Sequence, residues 1–340
     1  MKILVNNINE HLGIFLFNFI KKMKTSPITI IILLLIFISC KKNNDIDYRE
    51  EMRNFVISIS RYAKNLNPNF IIVPQNGQEL ILDDTELQYN YIYAIDGTGR
   101  EDLFYGYYGD DIKTPIEDNE FMLDYCLKYR DYGKVVMVID YCFTKAKIDS
   151  SYMLNQHYNF ISFAADHREL NNIPQYPGKP FNENSDDINK LSDAKNFLYL
   201  INSENFSSKQ DFINTVSQTN FDVILMDLFH NDEQYTKSEI EKLKIKKNGS
   251  KRIVLCYMSI GEAEEYRYYW NNIWKIIKPS WLLKENPEWA GNYKVKYWDQ
   301  GWQKIIFGQD DSYLKKIMDS GFDGVYMDVV DGFYYFEENE

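Results

Sequence analysis

A chain of 340 residues that is 45% hydrophobic can bury one large core, and a single α/β barrel of roughly 250–300 residues fits that length. The net charge of −12 argues against a nucleic-acid partner, because no segment clusters the Lys and Arg that phosphate neutralisation needs. Aromatic residues are 16% of the chain, enough to serve both core packing and stacking on sugar rings.

In chain order, the first feature is "KKMKTSPITIIILLLIFISCKK", a basic stretch, an apolar run from Ile28 to Ile38, and then Ser39 and Cys40. The run is short for a membrane-spanning helix, so residues 1–40 read as an export signal. The small residue before Cys40 resembles a bacterial lipoprotein signal, which implies cleavage before Cys40 and lipid attachment on it; Phe37 departs from the usual aliphatic residue. The expectation is an exported lipoprotein of the cell envelope, anchored in a Gram-negative outer membrane, with an uncleaved signal anchor as the alternative. Met23 is a second candidate start, since the basic, apolar, Cys order is complete from there.

Residues 41–340 read as one domain. Met52, Phe55, Val56, Ile59, Ala63 and Leu66 recur at helical spacing and predict an amphipathic helix closed by Pro68. Short apolar runs follow: "FIIVPQN" from Phe70, "YIYAIDG" from Tyr91, "VVMVIDY" from Val135 and "YNFISFAA" from Tyr158. These predict buried parallel strands. The stretch 171–189, rich in Pro, Asn, Gly and Asp, predicts a linker. Four more strands are expected at "NFLYLIN", "FDVILMD", "RIVLCYMSIGE" and "GVYMD". Between them, Thr236 and Glu239 form a capping box, and "SYLKKIMDSG" predicts a helix ending at Gly321.

Eight strands in β/α alternation predict a closed (β/α)8 TIM barrel, with an open doubly wound sheet as the alternative. The barrel is favoured because acidic residues stand at or just past the expected ends of six strands: Glu79, Asp96, Asp140, Asp227, Glu262 and Asp328. Barrels place their chemistry on that rim. Asp328 poses a puzzle of order, since few residues follow the strand that carries it.

The blocks "VLCYMSIGEAEEYRYYW", "WLLKENPEWAGNYKVKYWDQGWQKIIFG" and "GFDGVYMDVVDGFYYF" resemble the bacterial branch of the endo-α-1,4-polygalactosaminidase family, glycoside hydrolase family 114. That resemblance implies a (β/α)8 barrel. In the usual family order these blocks precede motifs like "PQNGQEL" and "IDGTGREDLFYG", which here stand at the N-terminal side, from Pro74 and Ile95. The chain therefore resembles a circularly permuted form of the family, with 171–189 joining the customary ends.

Glycoside hydrolysis needs two carboxyl groups flanking the scissile bond. Asp328 and Glu79 are the expected catalytic pair, since both match positions that carry the family's catalytic Asp and Glu; Glu79 is assigned as acid and Asp328 as nucleophile or base, or the reverse. The bland alternatives are a helix cap for Asp328 and a solvated helix-start residue for Glu79. Expected substrate contacts are Gln75, Asn76, Asp96, Asp140, Tyr141, Asp227, Tyr257, Glu262, Glu264 and Asp331, with Arg267 tying down one of the acids. Tyr141, Tyr257, Trp298 and Trp302 offer stacking faces or core packing. Cys126, Cys142 and Cys256 are scattered, and His157, His167 and His230 lack ligand-like spacing, so no disulfide framework, metal or other cofactor is expected.

The function so predicted is hydrolysis of an α-1,4-linked galactosamine-type polysaccharide. Two alternatives stay open: a non-catalytic glycan-binding surface lipoprotein, and a glycosidase for another α-linked sugar.

Overall fold

The structure, a computed structural model, describes residues 46–339; the expected signal segment and Cys40 lie outside them. Helix α1 (Tyr48–Leu66) forms where the apolar stripe predicts it, burying Met52, Phe55, Val56, Ile59 and Ala63. The Asp47 side chain caps it by accepting a hydrogen bond from the Glu50 N–H at 2.8 Å. The Thr236–Glu239 capping box and the helix Tyr313–Asp319 before Gly321 also form as expected.

Eight core strands follow: β1 (Ile71–Pro74), β2 (Gly97–Glu101), β3 (Val135–Tyr141), β4 (Ile161–Ala165), β5 (Phe197–Tyr199), β6 (Val223–Met226), β7 (Ile253–Ser259) and β8 (Gly324–Asp328). They build two parallel sheets. One has the order β1-β8-β7-β6-β5 and the other β2-β3-β4. Val73 of β1 pairs with Tyr326 of β8, and Tyr257 of β7 pairs with the same Tyr326 from the other side. At one seam, β1 and β2 share a single parallel bridge between Gln75 and Gly99. At the other, β4 and β5 lie side by side, with the Phe163 and Phe197 rings 6.0 Å apart.

Strand β2 departs from the expected position. The run from Tyr91 is largely helical, Tyr89–Ala94, and the strand begins only at Gly97. A Tyr-Ile-Tyr run has strand propensity, but Tyr91 and Ile92 bury themselves from a short helix while Tyr93 faces solvent. The true strand, Gly-Thr-Gly-Arg-Glu, lacks an apolar signature because its neighbours leave no room for side chains at the two glycines and its other three residues are polar. A Cβ on Gly99 would collide with the Tyr326 hydroxyl, and one on Gly97 would lie 2.7 Å from the Val135 carbonyl oxygen. Gly99→Ala is therefore expected to cost about 1–3 kcal/mol by overpacking. Tyr326→Phe removes a buried hydroxyl that has no hydrogen-bond partner among the described residues, so it should be tolerated and should rescue part of that loss. Urea midpoints of the two single variants and the double variant check this; an additive double variant would refute the steric account.

Residues 171–189 contain no helix or strand, yet they are fixed. The fully buried Lys246 ammonium donates to the Asp222 carboxylate at 2.6 Å, to the Asp186 carbonyl at 2.9 Å and to the Asn184 side-chain oxygen at 3.3 Å. The Asn184 amide in turn donates to Asp222 at 2.9 Å. Among the described residues, no helix is long and apolar enough to cross a membrane.

Candidate active site

At the C-terminal ends of the strands lies a cleft of about 640 Å³. Strand β8 ends in Asp328, and β1 passes directly into Gln75 and Asn76, whose N–H groups bond the Met327 and Gly99 carbonyls at 2.7 and 2.9 Å. The first strand is thereby held against both the last strand and β2. Val329, next to Asp328, takes a left-handed φ of 58°, a strained conformation for a β-branched residue. Its N–H donates to Asp328 Oδ1 at 2.7 Å, fixing the carboxyl.

The partner that geometry gives to Asp328 is Glu101, the last residue of β2. Gln75 Nε2 donates to Glu101 Oε2 at 2.9 Å and to Asp328 Oδ1 at 3.0 Å, so these two oxygens are less than about 6 Å apart. Gln75 is itself held, its Oε1 accepting from the Tyr199 hydroxyl at 3.0 Å. The Tyr257 hydroxyl donates to Asp328 Oδ2 at 2.6 Å, and the Tyr141 hydroxyl donates to Glu101 Oε1 at 2.6 Å. Asn76 Nδ2 adds a third donor to Glu101, at 3.0 Å. Both carboxyls stay part-open to the cleft. Burial, and then the Glu101 charge, push Asp328 up to about 7. Asp328 thus still carries its proton in part near neutrality.

Glu79 does not reach this pair. Asn76 and Gly77 both have left-handed φ, 57° and 59°, and turn the chain so that the 3-10 turn Gln78–Ile81 leaves the cleft. Glu79 is buried there beside Tyr334, with Oε2 unpartnered among the described residues. Asp96 precedes β2 instead of ending it. It accepts from the Ile72 N–H at 2.9 Å and pairs with Lys64 at 2.9 Å, away from the cleft. Asp140, one place before the end of β3, points outward, since strand side chains alternate. It is fully buried, accepting from the Phe104 and Tyr105 N–H groups, Ser151 and Asn155, and burial raises its pKa.

Gln75, Asn76, Tyr141, Asp227, Tyr257 and Glu262 do line the cleft, as do Glu264 and Asp331. Tyr141 and Tyr257 are buried hydroxyl donors and offer no stacking face. Trp302 is a core residue whose indole N–H donates to the Ile260 carbonyl at 2.8 Å, and Trp298 packs on Tyr48 and Phe336 outside the cleft. Arg267 pairs with Asp227 at 2.6 Å and with Glu264 at 2.7 Å, and Lys294 pairs with Glu262 at 2.6 Å. Among the described residues, Glu101, Glu288, Asp328 and Asp331 are the cleft acids without an ion pair, and no cluster of His, Cys, Asp or Glu is placed to hold a metal ion.

Several cleft residues were absent from the expected set: Glu101, Arg168, Tyr199, Tyr266 and Trp289. Glu101 stands inside the quoted "IDGTGREDLFYG" motif, and the alternating glycines before it were the available signal. Arg168 lies over the Tyr141 ring, 4.1 Å from its centroid, while donating to Asp102 at 2.8 Å.

Asp328, Asp331 and Asp102 are all raised chiefly by burial, to about 7, 6 and 7. A carboxyl whose folded pKa exceeds its unfolded one favours folding most when protonated. Its contribution is complete below the unfolded value near 4 and is lost as pH rises through 6–7. Thermal melts should therefore show stability increasing by a few kcal/mol between about pH 8 and 5.5. A flat or falling Tm over that window would refute the charge assignment.

Residues 178–340 match glycoside-hydrolase family GH114. An uncharacterized protein of Methanocaldococcus jannaschii is 45% identical over 160 residues, 46% of this chain and 42% of that protein. Uncharacterized proteins of Deinococcus radiodurans and Thermotoga maritima are 39% and 36% identical, each over 36% of this chain and over 38% and 36% of their own lengths. The chain thus spans well under half the length of these curated relatives. The family match includes Asp328 but reaches neither Gln75 nor Glu101.

Proposed function

The chain belongs, through residues 178–340, to glycoside hydrolase family GH114, and from that premise we propose that it hydrolyses an α-1,4-linked galactosamine-type polysaccharide with Asp328 and Glu101 as its carboxyl pair. The observation that carries this is the Gln75 amide shared between the two carboxyls in an open cleft. The protonated member gives its proton to the leaving oxygen as the glycosidic C–O bond breaks, the ionised member bonds to the anomeric carbon, and water then hydrolyses that glycosyl ester and returns the proton. A separation below about 6 Å suits a covalent glycosyl intermediate better than a water held between the carboxyls, which needs about 6.5–9.5 Å. Retention of anomeric configuration is the expected outcome.

Unpaired Glu101, Glu288, Asp328 and Asp331 favour a cationic or neutral sugar over an anionic one. In the same reading the two parallel sheets form a closed eight-strand ring, supported by the Gln75–Gly99 bridge and the Phe163–Phe197 contact at its seams. The circular permutation is supported by a family match that begins inside the 171–189 segment. Export and lipid attachment at Cys40 belong to the proposal and rest on the signal-like sequence alone. Fatty-acid labelling of wild type, absent in Cys40→Ser, tests that part.

The deciding experiment is product release from α-1,4-galactosamine oligosaccharides, acetylated and deacetylated, with NMR assignment of the first anomer formed. Cleavage by wild type, lost in Asp328→Asn and in Glu101→Gln but kept in Glu79→Gln, supports the pair. Loss in Glu79→Gln with Glu101→Gln active would overturn it.

A further inference from the structure

Beside the cleft lies a second basin of about 460 Å³, and the two share Ile201, Asn202, Asp227, Tyr266 and Arg267 as common walls. The carboxyl pair is in the first and not in the second. Each alone falls within the range of about 300–1,000 Å³ typical of small-ligand sites.

The divide between them is built on an unusual aromatic. Tyr266 is 61% exposed, yet its ring is not free to move. Its hydroxyl donates to the buried Glu264 carboxylate, and its face lies 5.0 Å from the Arg267 guanidinium carbon. Arg267 is buried and clamped between Asp227 and Glu264, which hold its charge against the cost of that burial. Tyr268, also part of the basin and 40% exposed, donates its hydroxyl to the Asp311 carbonyl at 2.9 Å and packs on Phe229 and Tyr313. Ordering an exposed ring costs conformational entropy and exposes apolar surface, so folding alone gains little from it. A rigid aromatic face beside hydrogen-bonding groups such as Asn202 and Asn231 is what a pyranose ring needs, apolar C–H face on the ring and hydroxyls on the amides.

We infer that this basin is a distal saccharide subsite, in which Tyr266 and Tyr268 receive a sugar unit of the same chain whose scissile bond lies at Asp328 and Glu101. The inference rests on the hydrolase reading above. Asp227, Glu264 and Arg267 then act as positioning residues, setting the Tyr266 ring.

The test compares kcat/KM on α-1,4-galactosamine polymer with kcat/KM on the shortest oligosaccharide that is cleaved, for wild type, Tyr266→Ala and Tyr266→Phe. The polymer-to-short ratio should fall about tenfold in Tyr266→Ala, the worth of one stacked ring, and by less in Tyr266→Phe, which keeps the ring but loses the hydroxyl bond that holds it to Glu264. Circular dichroism and urea midpoints confirm that the variants fold. An unchanged ratio in Tyr266→Ala, or an equal loss on both substrates, overturns the distal subsite while leaving the hydrolase reading in place. No cleavage by wild type, together with no binding of the polymer by Glu101→Gln, overturns both.

Discussion

Asp328→Asn is expected to lower kcat/KM by roughly 10²–10⁴-fold, the usual worth of a positioned acid, base or nucleophile. The side chain keeps its shape, and the Tyr257 and Gln75 contacts at 2.6 and 3.0 Å can still be accommodated, so fold and substrate affinity should survive. Glu101→Gln should behave alike, because the two carboxyls are held by one amide donor and neither can replace the other. Their double variant should be little worse than either alone, as with residues that act as a unit. In wild type, kcat/KM should decline above about pH 7, where Asp328 loses its proton. Glu101→Gln removes the second cause of the raised Asp328 value, so the titration of Asp328 moves to lower pH; NMR of the carboxyl carbon reads this directly. A pH profile still rising at pH 9 would rule out an acid with that titration.

Lys246→Ala should destabilise the fold more than any of the cleft substitutions. Lys246 and Asp222 are both fully excluded from solvent, and removing the ammonium leaves a buried carboxylate with only the Asn184 and Lys195 donors and a marginal one from Asn196. Breaking such a pair costs about 3–5 kcal/mol. Asp222→Asn combined with Lys246→Met removes both charges and should recover much of that loss. The effect is local in structure and distant from the cleft, so variant protein that remains folded should keep wild-type kcat. A cost below about 1 kcal/mol in urea unfolding would mean that water or a rearranged partner takes over.

Seven of the eight strands were legible because long aliphatic runs such as "VVMVIDY" and "RIVLCYM" mark strands buried on both faces. Strand β2 was not, since its residues are defined by what Tyr326 and Val135 leave no space for, and those neighbours come from distant parts of the chain. That displacement is why the sequence pattern puts Asp96 at the rim in place of Glu101. Asp140 failed for a different reason: a single-residue change of parity decides whether a carboxyl faces the cleft or the surrounding helices, and parity depends on register. For Glu79 the signal is present in the sequence, because Asn76-Gly77 is a pairing that favours left-handed backbone and so a change of direction. Asp227, Glu262 and Glu264 do stand on the cleft as expected, whereas their neutralisation by Arg267 and Lys294 needed three dimensions, apart from the expected tie between Arg267 and one acid.

The first and last of the eight strands are ladder partners, joined through only four residue pairs from Ile71–Gly324 to Pro74–Met327, and Gln75 and Asp328 continue directly from them. Because β1 and β8 are parallel, opposed tension on the segments flanking residues 47 and 339 would load that ladder in shear. The first slippage would draw Gln75 past Asp328 and pull the carboxyl pair out of register while the other ladders still held. Activity followed under load in a force-clamp would thus report mechanical yield before any loss of the remaining sheet.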